Sequence, residues 1–216
     1  MKSLLLLILA SSAYGYTLGA AHDQLYALRN LVKFPLMIIV TMGVCAVAHA
    51  VVARFAMIRL HFVAVQQVVL GTFRDLSLLL CSLIPPNYFL ARILVSTDDG
   101  HKGEYSLFLA LNVLFIAIAG SLALLGHGLP QLQRQGVARG RAKRVLLMWL
   151  ALTLAVGGQA AFYARPLVGL PASRGQRPPW FLGSRPDVRG ATNFYEAVLQ
   201  TLTNPPLPDH WGRRSE

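Results

Sequence analysis

Acidic residues are scarce in this chain of 216 residues, which contains 9 Asp and Glu against 20 Lys and Arg and has a formal net charge of +11. Charged residues of both signs make up only 13% of the chain, whereas apolar residues make up 55%. A packed soluble domain would show shorter apolar runs interrupted by a polar face. The composition therefore argues against a soluble domain and indicates a membrane protein.

Motifs of the common enzyme classes are also absent. The sequence has no HExxH, no GxSxG, no P-loop and no GxGxxG loop. It has no zinc-finger spacing and no basic helix with interleaved aromatic residues, so the positive charge does not indicate a nucleic-acid partner. No catalytic residue and no cofactor is therefore predicted, and an enzyme is disfavoured.

Only two cysteines are present, Cys45 and Cys81, and both fall within apolar runs. A buried cysteine usually behaves as a small hydrophobic residue, so we expect neither a disulfide nor a metal site. Residues 97–104 (TDDGHKGE) do combine acidic side chains with a histidine. The glycines in this segment favour a solvated turn over a cation site.

The chain does contain five apolar runs about as long as a bilayer span, which needs about 20 residues. The predicted spans are residues 4–21, 34–53, 63–84, 105–125 and 145–164. The second is expected to carry Pro35 in its first turn, and the third to stop at Pro85 and Pro86, because proline cannot continue the helical hydrogen bonds. The basic segment 126–144 between the last two spans is interpreted as a flexible loop.

This pattern predicts an all-α protein, a polytopic transmembrane helical bundle at residues 1–164 followed by a tail rich in Pro, Gly and Arg at residues 165–216. The first run resembles a secretory signal peptide, but its apolar character continues to residue 21, which favours an uncleaved helix. Residues 25–33 suit an interfacial helix leading into the second span. Residues 87–96 are too short to cross and are interpreted as an interfacial or re-entrant segment.

Orientation follows from the Lys and Arg residues of the short loops, which are more frequent on the cytoplasmic side. Eight lie on the side of the N-terminus, against four on the opposite side. The eight are Lys2, Arg54, Arg59, Arg134, Arg139, Arg141, Lys143 and Arg144, and the four are Arg29, Lys33, Arg92 and Lys102. The N-terminus is therefore predicted inside and the tail outside, and the basic loops are expected to meet anionic lipid head groups.

A cation and an anion, Arg74 and Asp75, lie side by side within the third span. A charge at the bilayer centre costs at least about 2.5–3.5 kcal/mol on insertion scales. We therefore expect both side chains to point into the bundle or toward a wet cavity, with His49, Asn112 or Gln159 as partners. If the third span begins near Asp75, the pair instead marks the membrane boundary. His49 is otherwise expected to be a hydrogen-bonded interior histidine.

The tail contains aromatic and apolar residues that a disordered segment would lack. Its first part is predicted to be a loop that packs over the bundle or lies at the interface. A short amphipathic helix follows at about 193–203, with Asn193 as N-cap and Glu196 three residues later, an Asn variant of the capping box. Its apolar face consists of Phe194, Val198, Leu199 and Leu202. We expect this face to dock on the chain's own bundle rather than on a partner.

The tail also carries a family resemblance. An Arg-Pro-x-x-Gly-x-Pro segment follows the last span, and Asn-Phe-Tyr opens the final helix. The residues concerned are Arg165, Pro166, Gly169, Pro171, Asn193, Phe194 and Tyr195. With the apolar runs between about residues 25 and 202, they resemble an uncharacterised group of bacterial polytopic membrane proteins. The resemblance implies about five spans in the bacterial inner membrane, and the group brings no known activity with it. The layout is also similar to that of Yip-type five-span proteins, but this is an analogy of topology only.

Three functions are compatible with these patterns. The missing catalytic motifs, the apolar tail and the docked helix favour a non-enzymatic membrane scaffold or assembly subunit, with membrane protein partners or as a homo-oligomer. A transporter or channel component is an alternative, in which polar residues of spans two to five line a path. An intramembrane enzyme acting on lipid-linked substrates is a further alternative, but the sequence offers no convincing nucleophile or metal ligands for it.

Overall fold

The computed structural model describes residues 2–20, 23–58, 60–95, 105–165, 167, 180–181 and 193–203. These residues form helices and connecting turns, with no strand among them. The helices are α1 (Lys2–Ala20), α2 (Gln24–Phe55), α3 (Phe62–Ser82), α4 (Ile84–Leu94), α5 (Tyr105–Ala123), α6 (Leu129–Arg134), α7 (Arg139–Tyr163) and α8 (Phe194–Thr203). A π-helical turn, Leu124–Gly128, joins α5 directly to α6.

Five helical stretches are long and apolar enough to cross a membrane: α1, α2, α3, the continuous stretch Leu107–Arg134, and α7. This confirms the prediction of an all-helical chain with five helices that could span a membrane, as in a multi-pass membrane protein. Many large apolar side chains on these helices point outward, as lipid-facing residues do; Leu147, for example, is 68% exposed. The predicted division of the chain after residue 164 is not tested by this arrangement and stays a prediction.

The second span differs from the prediction. α2 runs over 32 residues and includes the segment expected to be a separate interfacial helix, so Pro35 lies inside the helix rather than in its first turn. Because proline has no N–H, the carbonyl of Leu31, four residues earlier, loses its helical donor. The Ser12 hydroxyl of α1 donates to this carbonyl at 2.9 Å. The neighbouring helix thus completes the hydrogen bonding of α2, which explains how α2 continues through the proline.

The close approach of α1 to α2 depends on two glycines of α1. A Cβ on Gly15 would lie 2.5 Å from the carbonyl oxygen of Asn30, and a Cβ on Gly19 would overlap the backbone of Tyr26 and Ala27. Small residues one turn apart let two spans approach until their backbones touch. The α1–α2 hairpin is therefore held by backbone contact as well as by the serine hydrogen bond.

The segment 126–144 is mostly helical, so its interpretation as a flexible loop was wrong. The fourth span continues through the π-helical turn and α6 to Arg134, and α7 begins at Arg139. Pro130 lies in the first turn of α6, and its missing N–H removes a hydrogen bond where the helix widens. Gly136, with φ of +80°, makes the remaining turn. Pro130 and Gly136 thus occupy positions that a helix start and a tight turn tolerate.

A short helix follows the third span, in agreement with the predicted short segment. Pro85 and Pro86 lie in the first turn of α4, where a missing N–H removes no helical bond. α4 has 11 residues and is too short to cross a bilayer. Asn87 at its start donates to Thr17 Oγ1 of α1 at 3.1 Å, which places α4 beside the C-terminal end of α1.

Candidate functional site: the Arg74–Asp75–His127 cluster

Arg74 and Asp75 lie in the middle third of α3 and bind each other. The guanidinium Nε and Nη2 donate to Asp75 Oδ1 at 2.8 and 2.6 Å. Adjacent residues on a helix point about 100° apart, so the long arginine side chain bends across to reach the shorter carboxylate. The two side chains are 34% and 29% exposed. The pair is therefore partly buried, and the expectation that both side chains point into the bundle or toward a wet cavity stays a prediction.

His127 completes the cluster. Its Nδ1 lies 3.1 Å from Asp75 Oδ2, and since a carboxylate oxygen only accepts, this nitrogen carries the hydrogen. Asp75 therefore uses one oxygen for Arg74 and the other for His127. Sequence reasoning missed His127 because it assigned the residue to a loop beyond the fourth span.

Two local features position the His127 ring. The residue lies on the π-helical turn Leu124–Gly128, which changes the direction of the side chains it carries and is a frequent feature of functional sites. On the facing helix, Gly71 lies one turn before Asp75, and a Cβ at Gly71 would overlap the imidazole. Glycine at this position leaves the space that the ring occupies. A glycine one turn before an intramembrane Asp is the sequence signal that could have indicated a close contact here.

The predicted partners of Arg74 and Asp75 were wrong, because His49 is bonded elsewhere, between α2 and α7. His49 Nε2 lies 3.2 Å from the Trp149 carbonyl oxygen and 3.1 Å from Thr153 Oγ1. The Trp149 indole donates back to the His49 carbonyl at 3.1 Å, and the two rings stack with 4.7 Å between centroids. With 1% exposure, His49 is confirmed as a hydrogen-bonded interior histidine.

Asn112 and Gln159, the other two predicted partners, also link different helices. The Tyr14 hydroxyl of α1 donates to Asn112 Oδ1 at 2.6 Å, and Asn112 Nδ2 donates to the Phe108 carbonyl at 2.9 Å. Gln159 Oε1 accepts the backbone N–H of Phe194 at 3.2 Å. The structure thus separates the five intramembrane polar candidates into four sites. Only Arg74 and Asp75 belong to the same one.

The tail helix contacts α7. Asn193 Oδ1 accepts the Glu196 N–H at 2.9 Å, as an Asn N-cap does. A Cβ on Gly158 of α7 would lie 2.7 Å from the Phe194 ring, and the Tyr195 hydroxyl donates to a backbone carbonyl of α7 at 2.7 Å. Phe194 and Tyr195 of the Asn-Phe-Tyr motif are therefore contact residues between α8 and the last span.

Leu199 was wrongly assigned to the buried face of this helix. It is 62% exposed, because the hydrogen bonds that join α8 to α7 come from the start of α8, and Leu199 lies more than one turn farther along.

In the Arg-Pro-x-x-Gly-x-Pro segment, Arg165 donates from Nε to the Phe162 carbonyl at 2.9 Å. Pro166, Gly169 and Pro171 lie outside the described residues.

Sequence reasoning also missed a contact between α2 and the start of the tail. Lys33 is only 2% exposed, and its Nζ lies 3.5 Å from the Ala164 carbonyl. This carbonyl is at the C-terminal end of α7, where the helix dipole attracts a cation. Asn30 donates to the Leu167 carbonyl. The cation–aromatic contacts to the tail are Arg29 with Trp180 at 5.3 Å and Lys33 with Phe181 at 4.9 Å.

Compared with protein-family models, curated proteins and solved structures, the chain gives no match. The resemblance to a bacterial membrane-protein group therefore stays a prediction. Within the described ranges, no group of three or more His, Cys, Asp or Glu side chains is placed to hold a metal ion. The chemistry of the cluster is that of a carboxylate held between a guanidinium and an imidazole. It can bind a polar side chain of a partner or exchange a proton.

Proposed function

We propose that the protein is a non-enzymatic membrane scaffold or assembly subunit, and that a transmembrane segment of a partner covers the Arg74–Asp75–His127 cluster. The observation that carries this proposal is the position of the cluster, in the middle of a span and about one-third exposed. A charge facing lipid at the helix centre costs at least about 2.5–3.5 kcal/mol on insertion scales. Polar side chains of a partner helix would replace lipid there and offset this cost.

The other intramembrane polar residues support assembly over transport. His49, Asn112 and Gln159 each bond to a neighbouring helix, at three separate contacts. In a transport path, such groups face one another across a water-filled cavity. Their use in helix packing leaves the cluster on α3 as the polar feature that a partner would recognise.

A photo-crosslinking amino acid at Leu78 tests this proposal. Leu78 lies one turn after Arg74 and is 40% exposed, and Leu154 on α7, 42% exposed, is the matched control. Irradiation of intact cells should give an adduct of defined mass at Leu78 but not at Leu154. The Arg74→Gln/Asp75→Asn variant should lose this adduct. Equal adducts at both positions, or none at Leu78 in folded protein, would contradict the proposal, and the mass distinguishes a second copy from another protein.

A transporter or channel component is the second candidate, and the π-helical turn is the observation that favours it. The turn holds His127 against Asp75 at 3.1 Å, and histidine and carboxylate side chains inside membrane spans often line the paths of transported ions and protons. Purified protein in liposomes should then conduct protons or ions, and Asp75→Asn should abolish this flux. Absence of flux from folded, reconstituted protein would leave the assembly proposal.

We also propose a location in the bacterial cytoplasmic (inner) membrane, with the N-terminus inside and the tail outside. The distribution of Lys and Arg in the loops supports the orientation, and the family resemblance supports the bacterial membrane. The intramembrane enzyme has no comparable supporting observation.

A further inference from the structure

We infer that one end of the bundle is a specific binding site for the head group of an anionic phospholipid. Six exposed basic residues lie at this end, in two regions far apart in the sequence: the last turn of α2 and the helix ends on either side of the α6–α7 turn. These residues, named the basic face below, are Arg54, Arg134, Arg139, Arg141, Lys143 and Arg144.

Antiparallel packing brings these two regions together. The Trp149 indole of α7 donates to the carbonyl of His49 on α2, so the C-terminal end of α2, which carries Arg54, lies beside the N-terminal end of α7. Gly71 of α3 contacts His127, so the N-terminal half of α3 lies beside the π-helical turn that leads into α6. Arg54 and the basic residues around the α6–α7 turn therefore lie at the same end of the bundle.

The acidic residues in the described part of the chain lie away from the basic face. Asp23 caps the start of α2, at the opposite end of that helix. Asp75 lies in the middle of α3, and Glu196 lies on α8, which docks near the C-terminal half of α7. No described acidic side chain therefore neutralises the basic face, and an anionic ligand would complement its charge.

The first turn of α7 contains two of the six positive charges. Arg139 and Arg141 lie there, the turn contains no acidic residue, and the N-cap Ala138 makes no side-chain hydrogen bond. A helix N-terminus favours anions and disfavours cations, so this arrangement opposes helix formation when it is empty. A bound phosphate would accept from the arginines and remove the conflict.

Apolar side chains project beside these charges. Phe55 and Met57 are 85% and 84% exposed, more than any other large apolar residue that the structure describes. Met57 has φ of 57°, a conformation that residues other than glycine rarely adopt, so the backbone turns this side chain outward. A depression of about 580 Å³ opens here, lined by Arg54, Met57, Ile58, Leu60 and His61. Charges next to apolar anchors fit a lipid at the membrane interface better than an acidic protein or a nucleic acid.

The charges also select the type of head group. The phosphate oxygens of any phospholipid can accept from arginine, but the cation of a choline or ethanolamine head group would be repelled by its basic neighbours. Phosphatidylglycerol, whose head group has no cation, is therefore the expected ligand class. Because Arg139 and Arg141 lie at one helix start and Arg54 lines the depression, we expect saturable binding rather than a diffuse attraction.

Native mass spectrometry of the full chain in micelles tests the site with phosphatidylglycerol and phosphatidylcholine. One phosphatidylglycerol should be retained per chain at saturation, and phosphatidylcholine should not. The variant Arg139→Gln/Arg141→Gln/Lys143→Gln/Arg144→Gln should bind at least about tenfold more weakly, since each basic residue near an anionic surface contributes about a factor of five. Arg92→Gln, which removes an exposed arginine of α4, is the control and should bind normally.

A second variant and a second ligand complete the test. Phe55→Ser/Met57→Ser keeps every charge and should also weaken binding, so the site remains testable if the fourfold variant does not fold. Inorganic phosphate at matched ionic strength should protect against thermal unfolding less than the lipid does. Equal protection by phosphate, binding that never saturates, or unchanged binding in both variants would overturn the inference. Because the ligand is lipid alone, the result is independent of the assembly proposal.

Discussion

Asp75 holds the intramembrane cluster together, because each of its carboxylate oxygens accepts from a different side chain. Without Asp75, Arg74 and His127 lose a shared acceptor within a span, whereas loss of His127 leaves the Arg74–Asp75 pair intact. Removing one partner of a partly buried ion pair is costly, because it leaves the other charge uncompensated. The two charges should therefore tolerate joint removal better than single removal.

Arg74→Leu and Asp75→Leu should each reduce the folded yield and the melting temperature in detergent. The double variant should be less harmful than the sum of the two, with a coupling free energy of about 0.5–3 kcal/mol, the usual range for residues in one network. The melting temperatures of the three variants give this coupling. Additive effects would show that the two charges do not compensate each other.

At the scale of single helices, contacts between neighbours decide where each helix continues or stops. α2 passes through Pro35 because a serine of α1 supplies the donor that the Leu31 carbonyl lacks. α8 is held at its start by a cap and by contacts with α7. Both cases depend on a few hydrogen bonds that can be removed singly.

Ser12→Ala should lower the free energy of unfolding by about 1–3 kcal/mol, because it leaves a partly buried carbonyl without a donor. Ser11→Ala is the matched control, since the Ser11 hydroxyl bonds to the Leu7 carbonyl of its own helix. Pro35→Ala in the Ser12→Ala background should restore stability, because the new N–H can donate to Leu31. Thermal unfolding in detergent measures all three, and equal effects of the two serine variants would refute this explanation.

Phe194→Ala should destabilise the docked tail helix more than Asn193→Ala does. Loss of an N-cap costs about 0.5–2 kcal/mol, whereas truncation of a buried Phe costs about 3–5 kcal/mol; Phe194 is only partly buried, so a value near the lower limit is expected. Leu199→Ala, at a residue that is 62% exposed, is the control and should have little effect. Melting curves and limited proteolysis of the tail give the order, and unchanged curves in all three would mean that α8 does not contribute to stability.

For the molecule as a whole, the distribution of Lys and Arg predicts which end of the bundle faces the cytoplasm. Single cysteines at Gln135, in the exposed turn after α6, and at Gln176, in the tail, test this in a background that lacks Cys45 and Cys81. A membrane-impermeant thiol reagent on intact cells should label only Gln176→Cys. Labelling of Gln135→Cys alone would reverse the orientation, and would also place the basic face in the outer leaflet.

The number of spans, the all-helical class and the Asn193 cap were predictable from sequence. Run length and composition decide whether a segment can cross a bilayer, and a cap depends on residues three positions apart. The partners of Arg74 and Asp75 were not predictable in the same way. They depend on the rotation of α3 against the fourth span, and the π-helical turn that brings His127 to Asp75 changes that rotation locally.

By itself, the sequence determined what each segment can be: five apolar helices, a basic loop side and a short capped helix in the tail. The tertiary structure decided which segments complete one another. In the tertiary structure, the Ser12 hydroxyl donates to the Leu31 carbonyl that lacks a donor because of Pro35. Most of segment 126–144 is helical, and Arg54 lies at the same end of the bundle as Arg139. The physical reason is that hydropathy depends on neighbours along the chain, whereas these contacts join residues that only the packing of antiparallel helices brings together.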